Sequence, residues 1–298
     1  MSIGIHVNKS TSATGKKNPR TMINALKDDM LLLKDYGIKN PCAQIFVTGP
    51  QNSKDTLTHD DKKQIAKLTE EGLNLVIHGA YIDCPWNKSD RGIANIKKEL
   101  TIAAEIGANG VVVHLSKDAA IFDNLQYAIE RITKLPNNIK SKVTLWLEIN
   151  TAKRSAQTFE TPDKLINLFD NINKCNTHGM IIGLCIDTAH LFSCGISMAT
   201  RETTINWIQN LPDVPLMLHL NDSASSLGSG IDKHQTLFEG GIWEDYHPEN
   251  GVLPIAESGL VYILEWAETN SITTILERHG GDGIISDITN ISKLGFFT

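Results

Sequence analysis

The chain has 298 residues, 41% hydrophobic and 21% charged, which is ordinary for a globular protein with room for a sizeable core. Its formal charge of −6 argues against a broad nucleic-acid-binding surface, although bound cations stand outside that count and leave the sign of any local site open. Five scattered cysteines without a C-x-x-C pair exclude a zinc ribbon and a disulfide framework, and the N-terminal segment and the apolar runs suggest neither a signal peptide nor a membrane span.

In chain order, short β-branched runs alternate with amphipathic stretches. Strands are expected at 2–7, 42–47, 74–79, 110–115, 143–148, 183–188, 216–221 and 273–278. Helical periodicity covers 21–36, 60–72, 93–106, 120–134, 162–173, 200–210, 255–269 and 285–294. Eight such units with near-continuous apolar strands predict an α/β fold, a single-domain (β/α)8 TIM barrel over 1–298. An open doubly wound sheet is the alternative, but IHVNKSTSATGKK, after the first strand, is a poor match to a G-x-G-x-x-G turn or a P-loop. About thirty residues follow the seventh strand without a helical pattern, and such long connections are usually functional or disordered. This one carries Asp, His and Glu, which favours function.

The strands end on ionisable residues: His78, His114, Glu148, Asp187, His219 and Glu277. Each lies two positions beyond an apolar residue, respectively Val76, Val112, Trp146, Cys185, Met217 and Ile275. Strand side chains alternate, so each pair shares a face, and all six polar groups should meet at the C-terminal mouth of the barrel. One such residue alone would ordinarily be a core residue or a helix cap. Six together would be expensive to bury without counter-charge, and divalent cations offset that penalty. Mixed imidazole and carboxylate donors suit zinc, with manganese or iron as alternatives. Six donors exceed one tetrahedral ion, so two ions sharing a carboxylate are expected. His190 and the Asp232/His234 pair supply a third donor set.

The segments HGAYIDCPW (78–86), VVVHL (111–115), LEINTA (147–152), IGLCIDTAH (182–190), HLNDSASSLGSGIDKHQTLFEGGIW (219–243) and ILER (275–278) resemble the endonuclease IV family of AP endonucleases. Their wording is most similar to the members from large DNA viruses. The unpaired cysteine pattern fits an intracellular, reducing compartment. The resemblance implies a zinc-dependent DNA-repair barrel that cleaves the phosphodiester 5′ to an abasic site in duplex DNA, leaving a 3′-hydroxyl and a 5′-deoxyribose phosphate. It implies three zinc ions, with manganese possible at one or more sites. His78, His114 and Glu148 would hold the first. Glu148 would bridge to a second, completed by Asp187, His219 and Glu277, while His190, Asp232 and His234 would hold the third. Two ions ~3.5–4 Å apart can clamp attacking and leaving oxygens, with catalytic Glu148 orienting the hydroxide between them.

By the same resemblance, Tyr81 and Ile82 would wedge into the DNA at the lesion and Lys233 would contact phosphate. Lys16, Lys17, Arg20, Lys117, Lys153 and Arg154 are candidates for a basic rim. Two departures stand out. Gln51 occupies a position where the family often has an intercalating arginine, and Ile149 rather than asparagine directly follows Glu148. No membrane or protein partner is expected. The rival readings are a sugar isomerase or epimerase, which needs only Glu148, Asp187, His219 and Glu277, and a non-catalytic zinc protein that binds lesions.

Overall fold

A computed structural model describes residues 2–14, 17, 19–151, 158–278 and 283–297. Eight parallel strands close into a barrel: β1 (Ser2–His6), β2 (Cys42–Ile45), β3 (Asn74–His78), β4 (Gly110–His114), β5 (Thr144–Glu148), β6 (Ile181–Asp187), β7 (Leu216–His219) and, last around the ring, β10 (Thr273–Leu276). The doubly wound alternative is thereby excluded. Helices α1 (Met22–Asp35), α2 (His59–Glu70), α3 (Asp90–Ile106), α4 (Phe122–Ile132), a short α5 (Asn137–Lys140), α6 (Pro162–Cys175), α7 (Thr188–Ser193), α8 (Arg201–Ile208), α9 (Gly259–Thr269) and α10 (Ile284–Lys293) connect them. Local chemistry sets several of these boundaries. Thr58 and Asp61 form a reciprocal capping box at the start of α2, Ser89 caps α3, and Gly107 ends α3 in the left-handed conformation. Among the described residues, no helix is long and apolar enough to cross a membrane.

The register explains how the strand ends come level. His6 stands opposite Gln44, His114 opposite Glu148 and Asp187 opposite His219. At four other junctions the polar position slips by two residues, as where Glu148 faces Cys185 and His219 faces Ile275. Four slips of two give a stagger of eight around the ring, the shear of an eight-stranded barrel.

Inside the barrel, Cys42, Val76, Val112, Cys185, Met217 and Ile275 form one buried cluster with Trp146 packed against it. The six apolar neighbours picked out by strand parity are all in this layer. Gly183 makes room for the indole, since a Cβ there would lie 2.6 Å from the Trp146 ring. A larger core fills the space between the sheet and the helices.

The long connection after β7 is ordered. Two-residue strands β8 (Asp222–Ser223) and β9 (His234–Gln235) pair antiparallel. The fully buried Asp222 carboxylate accepts from the backbone N–H groups of Ser223 (2.8 Å), Phe238 (3.0 Å), Gly240 (3.3 Å) and Ile242 (2.9 Å). Buried Trp243 closes the segment by donating to the Met198 carbonyl (2.9 Å). Sequence periodicity missed α7, which is barely longer than a turn and starts directly from β6.

Candidate metal centre

The nine predicted donors meet at the carboxyl ends of the strands, linked by contacts of 4.0 Å or less. Glu148, wholly buried, is the hub. Its carboxylate lies 2.9 Å from His114 Nε2, 3.4 Å from His78 Nε2, 3.3 Å from His190 Nδ1 and 3.2 Å from His219 Nδ1. On the far side, His219 Nδ1 is 3.2 Å from Glu277 and 4.0 Å from Asp187. Asp232 reaches His190 Nε2 (3.4 Å) and His234 Nε2 (3.1 Å), and its side chain, 48% exposed, opens that end to solvent.

Donor atoms fall into compact sets able to hold an ion: His78, His114 and Glu148; Glu148, Asp187, His219 and Glu277; and Asp187, His190 and His234. The first two coincide with the expected groupings. The third departs from expectation: Asp187, not Asp232, completes the compact set with the two imidazoles, its Oδ2 standing 3.6 Å from His234 Nε2, so this carboxylate faces both the second and third sets. Asp187 also caps α7, since its Oδ1 accepts from the His190 backbone N–H (2.8 Å). The D-x-x-H spacing therefore combines a helix cap with two inward-facing donors. Asn221 steadies the other oxygen, donating to Asp187 Oδ2 (2.8 Å).

Hydrogen bonding fixes how three imidazoles present themselves. His78 Nδ1 bonds the Gly79 carbonyl (2.8 Å), His190 Nδ1 that of Ile149 (2.8 Å) and His234 Nδ1 that of Glu277 (3.1 Å). A carbonyl only accepts, so each Nδ1 carries hydrogen and each Nε2 is the inward nitrogen, left to bind a cation once it is deprotonated, as in metal-binding histidines. Nε2 of His78, His190 and His234, and Oε2 of Glu148, are buried and make no well-formed hydrogen bond, although a carboxylate or imidazole faces each at 2.9–3.4 Å. Four such atoms gathered in one cluster of imidazoles and carboxylates are a set that a cation can complete, and the donor types fit zinc. Ile149, the departure after Glu148, is buried, and its carbonyl is what orients His190.

Electrostatics point the same way. Burial disfavours the charged form of every group, yet the neighbouring histidines hold Glu148 and Glu277 well below the usual carboxylate range. Burial likewise opposes protonation of His190 and His234, but Asp187 and Asp232 outweigh it and raise His234 to about 9. The cluster thus gathers positive charge onto its imidazoles, charge that a cation can replace.

The predicted DNA-contact residues ring the mouth. Tyr81, half exposed, lies over the first set, its ring centroid 5.1 Å from that of His78 and 5.0 Å from that of His114. Ile82 lines an adjoining cavity of about 250 Å³ together with Cys84, Ser116 and Asn150. Gln51 is exposed directly after Pro50, whose carbonyl accepts from the Tyr81 N–H (2.8 Å), so the two loops are stitched together. Beneath them, buried Glu99 accepts from Thr48 Oγ1 (2.6 Å) and the Ala80 N–H (3.3 Å). Lys233, exposed, borders a groove with Glu239 and Arg278. A cavity of about 180 Å³ between Tyr81, Phe46, His190, Asp232 and Arg278 leads to the donors.

Of the rim candidates, Lys17 and Lys117 are exposed, whereas Arg20 is a brace. Its guanidinium pairs with Asp29 (2.9 Å) and bonds the Asn8 and Thr11 carbonyls. Lys16, Lys153 and Arg154 lie outside the described residues. Sequence reasoning overlooked His6 and Gln44, which occupy the same layer on β1 and β2. Both stand two residues beyond an inward position, Gly4 and Cys42, so strand parity marks them too.

The AP endonuclease 2 family model, described as a xylose isomerase-like TIM barrel, matches residues 32–249. The "Probable AP endonuclease" of African swine fever virus is 32% identical over 270 residues, 88% of this chain and 86% of that protein. The "Probable endonuclease 4" of Mycobacterium bovis is 28% identical over 244 residues, 80% and 90% of the two chains. The crystal structure of AsfvAP:AG superposes with a TM-score of 0.85 at 27% identity, covering 99% of this chain and 98% of that one. A probable 3-DHS dehydratase from Bacillus anthracis shares the fold alone, at 13% identity and a TM-score of 0.62. The chain therefore belongs to the endonuclease IV family of AP endonucleases, most like its viral members, and is a hydrolase of that family built on a xylose isomerase-like TIM barrel.

Proposed function

We propose that this AP endonuclease hydrolyses the phosphodiester 5′ to an abasic site in duplex DNA, using three zinc ions held by the nine donors. The observation that carries the reading is the convergence of the inward Nε2 atoms of His78, His190 and His234 on the carboxylates of buried Glu148 and of Asp232. Bound zinc would neutralise phosphate charge and lower the pKa of a coordinated water toward ~7. Glu148 stands between the first two donor sets, where it orients a water for in-line attack and receives its proton. His190, Asp232 and His234 would hold the third zinc at the solvent-facing end, where its charge would stabilise the departing 3′-oxygen. Tyr81, Ile82 and Gln51 form the rim that fills the gap at the missing base, and Lys233 pairs with the backbone phosphate.

An isomerase or epimerase needs only the Glu148, Asp187, His219 and Glu277 quartet, and the five additional donors gathered around it support the nuclease reading. The test is a duplex carrying a tetrahydrofuran abasic analogue. It should be nicked on the 5′ side of the lesion, and left intact after Glu148→Ala or prolonged chelation. Cleavage on the 3′ side, or cleavage indifferent to chelation, overturns the mechanism. Binding without any cleavage favours a lesion-binding protein.

A further inference from the structure

His219 is held differently from the other donors. Its Nδ1 faces the carboxylates of Glu148 and Glu277, both at 3.2 Å, and its Nε2 lies 2.9 Å from Gln44 Oε1. Gln44, on β2, is fully buried, and its amide nitrogen bonds the Glu277 carboxylate and lies 3.1 Å from His6 Nδ1.

The orientation of that amide follows from the chemistry of its neighbours. A carboxylate only accepts, so the NH2 end must face Glu277, and the oxygen must then face His219. An amide oxygen also only accepts, so His219 carries hydrogen on Nε2; its Nδ1, hydrogen-bonded to the Glu148 carboxylate, is the nitrogen left to bind a cation once it gives up its proton. His78, His190 and His234 are oriented by backbone carbonyls and offer Nε2. His219 is turned the other way round, and a side chain does the turning. The same amide holds Glu277, a donor of the same set, while its second hydrogen is directed at His6 Nδ1.

We infer that Gln44 is the positioning residue of the second ion: one amide sets the tautomer and ring orientation of His219 and the carboxylate orientation of Glu277. This rests on the metal-centre reading above. Residues that orient metal-binding histidines typically alter metal affinity by 10–100-fold when replaced.

The experiment measures zinc stoichiometry, chelator-competition affinities and the ring-nitrogen resonances of 15N-histidine-labelled protein. It uses the parent chain, Gln44→Met, which keeps the volume without donor or acceptor, and Gln44→Glu, which keeps the acceptor facing His219. Three equivalents in the parent, with hydrogen on His219 Nε2, are expected. One equivalent should weaken by roughly 10–100-fold in Gln44→Met, with the His219 tautomer no longer uniform. Gln44→Glu should keep the Nε2 hydrogen on His219 while also losing affinity, because it sets a second carboxylate against Glu277 in place of the amide donor. Unfolding of the zinc-free variants separates loss of fold from loss of site. The inference is overturned if Gln44→Met keeps both affinity and tautomer, or if Gln44→Glu loses the Nε2 hydrogen on His219 as Gln44→Met does. A parent chain that binds no zinc overturns the metal-centre reading itself, a distinguishable failure.

Discussion

Replacing Asp222 by asparagine should loosen the segment that carries Asp232 and His234 without touching a metal donor. The Asp222 carboxylate accepts four backbone N–H bonds, from Ser223 and Ile242 on Oδ1 and from Phe238 and Gly240 on Oδ2. Asparagine has one acceptor oxygen, so whichever way it turns, its NH2 group confronts one of those N–H pairs. Two bonds to a charged acceptor disappear, each worth about 1.5–3 kcal/mol, so local stability should fall by about 3–6 kcal/mol. Because ~1.4 kcal/mol is tenfold, the segment should open on the order of 10²–10⁴ times more often. Amide hydrogen exchange at Leu237–Trp243 reads this directly, and limited proteolysis of the segment should accelerate in parallel. The zinc equivalent held by His190, Asp232 and His234 should weaken, while the other two change little. Exchange within about 0.5 kcal/mol of the parent, the scatter expected of a neutral substitution, together with an unchanged third equivalent, would refute the idea that Asp222 organises the segment.

Other outcomes follow from the same geometry. Burial disfavours the charged form of His234, but Asp187 and Asp232 raise its pKa to about 9, above its unfolded value. In the zinc-free protein its stabilising contribution is therefore full below about pH 6.5 and lost as pH rises through about 9. Zinc binding near pH 8 must expel that proton, so calorimetric enthalpy should depend on the buffer's ionisation enthalpy and apparent affinity should rise with pH; buffer-independent heat contradicts this. Burial raises the pKa of Glu99 above its unfolded value despite the bonds from Thr48 and Ala80. Its contribution to stability thus falls as pH rises through the folded pKa. Glu99→Gln should consequently melt higher than the parent at pH 8, with the gap closing at acid pH, and a gap independent of pH would be the wrong result. Gln51→Arg should tighten binding to abasic duplex by roughly 2–30-fold, about 0.5–2 kcal/mol of cation–π and charge interaction, and steepen the salt dependence. An unchanged salt slope in a fluorescence-anisotropy titration would place residue 51 away from the DNA.

Strand parity made most of the barrel readable in advance, because a closed parallel sheet buries one face of every strand and period two survives any number of intervening loops. The layer of Val76, Val112, Cys185, Met217 and Ile275, and the donors two residues further on, follow from that rule alone. His6 and Gln44 obey the same rule but were passed over. Neither a lone histidine near the N-terminus nor a neutral amide stands out as a metal donor until the ring is closed and its neighbours are known. Asp222 was hidden for another reason: its partners are backbone groups up to twenty residues away, which leave no pattern in side-chain type. That Asp187 faces two donor sets depends on how α7 and β9 approach each other, and no spacing along one segment encodes it.

The apolar layer under the donors has a consequence for traffic. Met217, Ile275 and the partly buried Trp146 make an apolar floor that is costly for a hydrated ion to cross, so the mouth is the favoured route for any cation seated above it. DNA lying across Tyr81 and Asp232 would shut that route. Ions and substrate would then be ordered in time, with loading first and DNA second, and chelators should strip the enzyme between encounters far faster than during them.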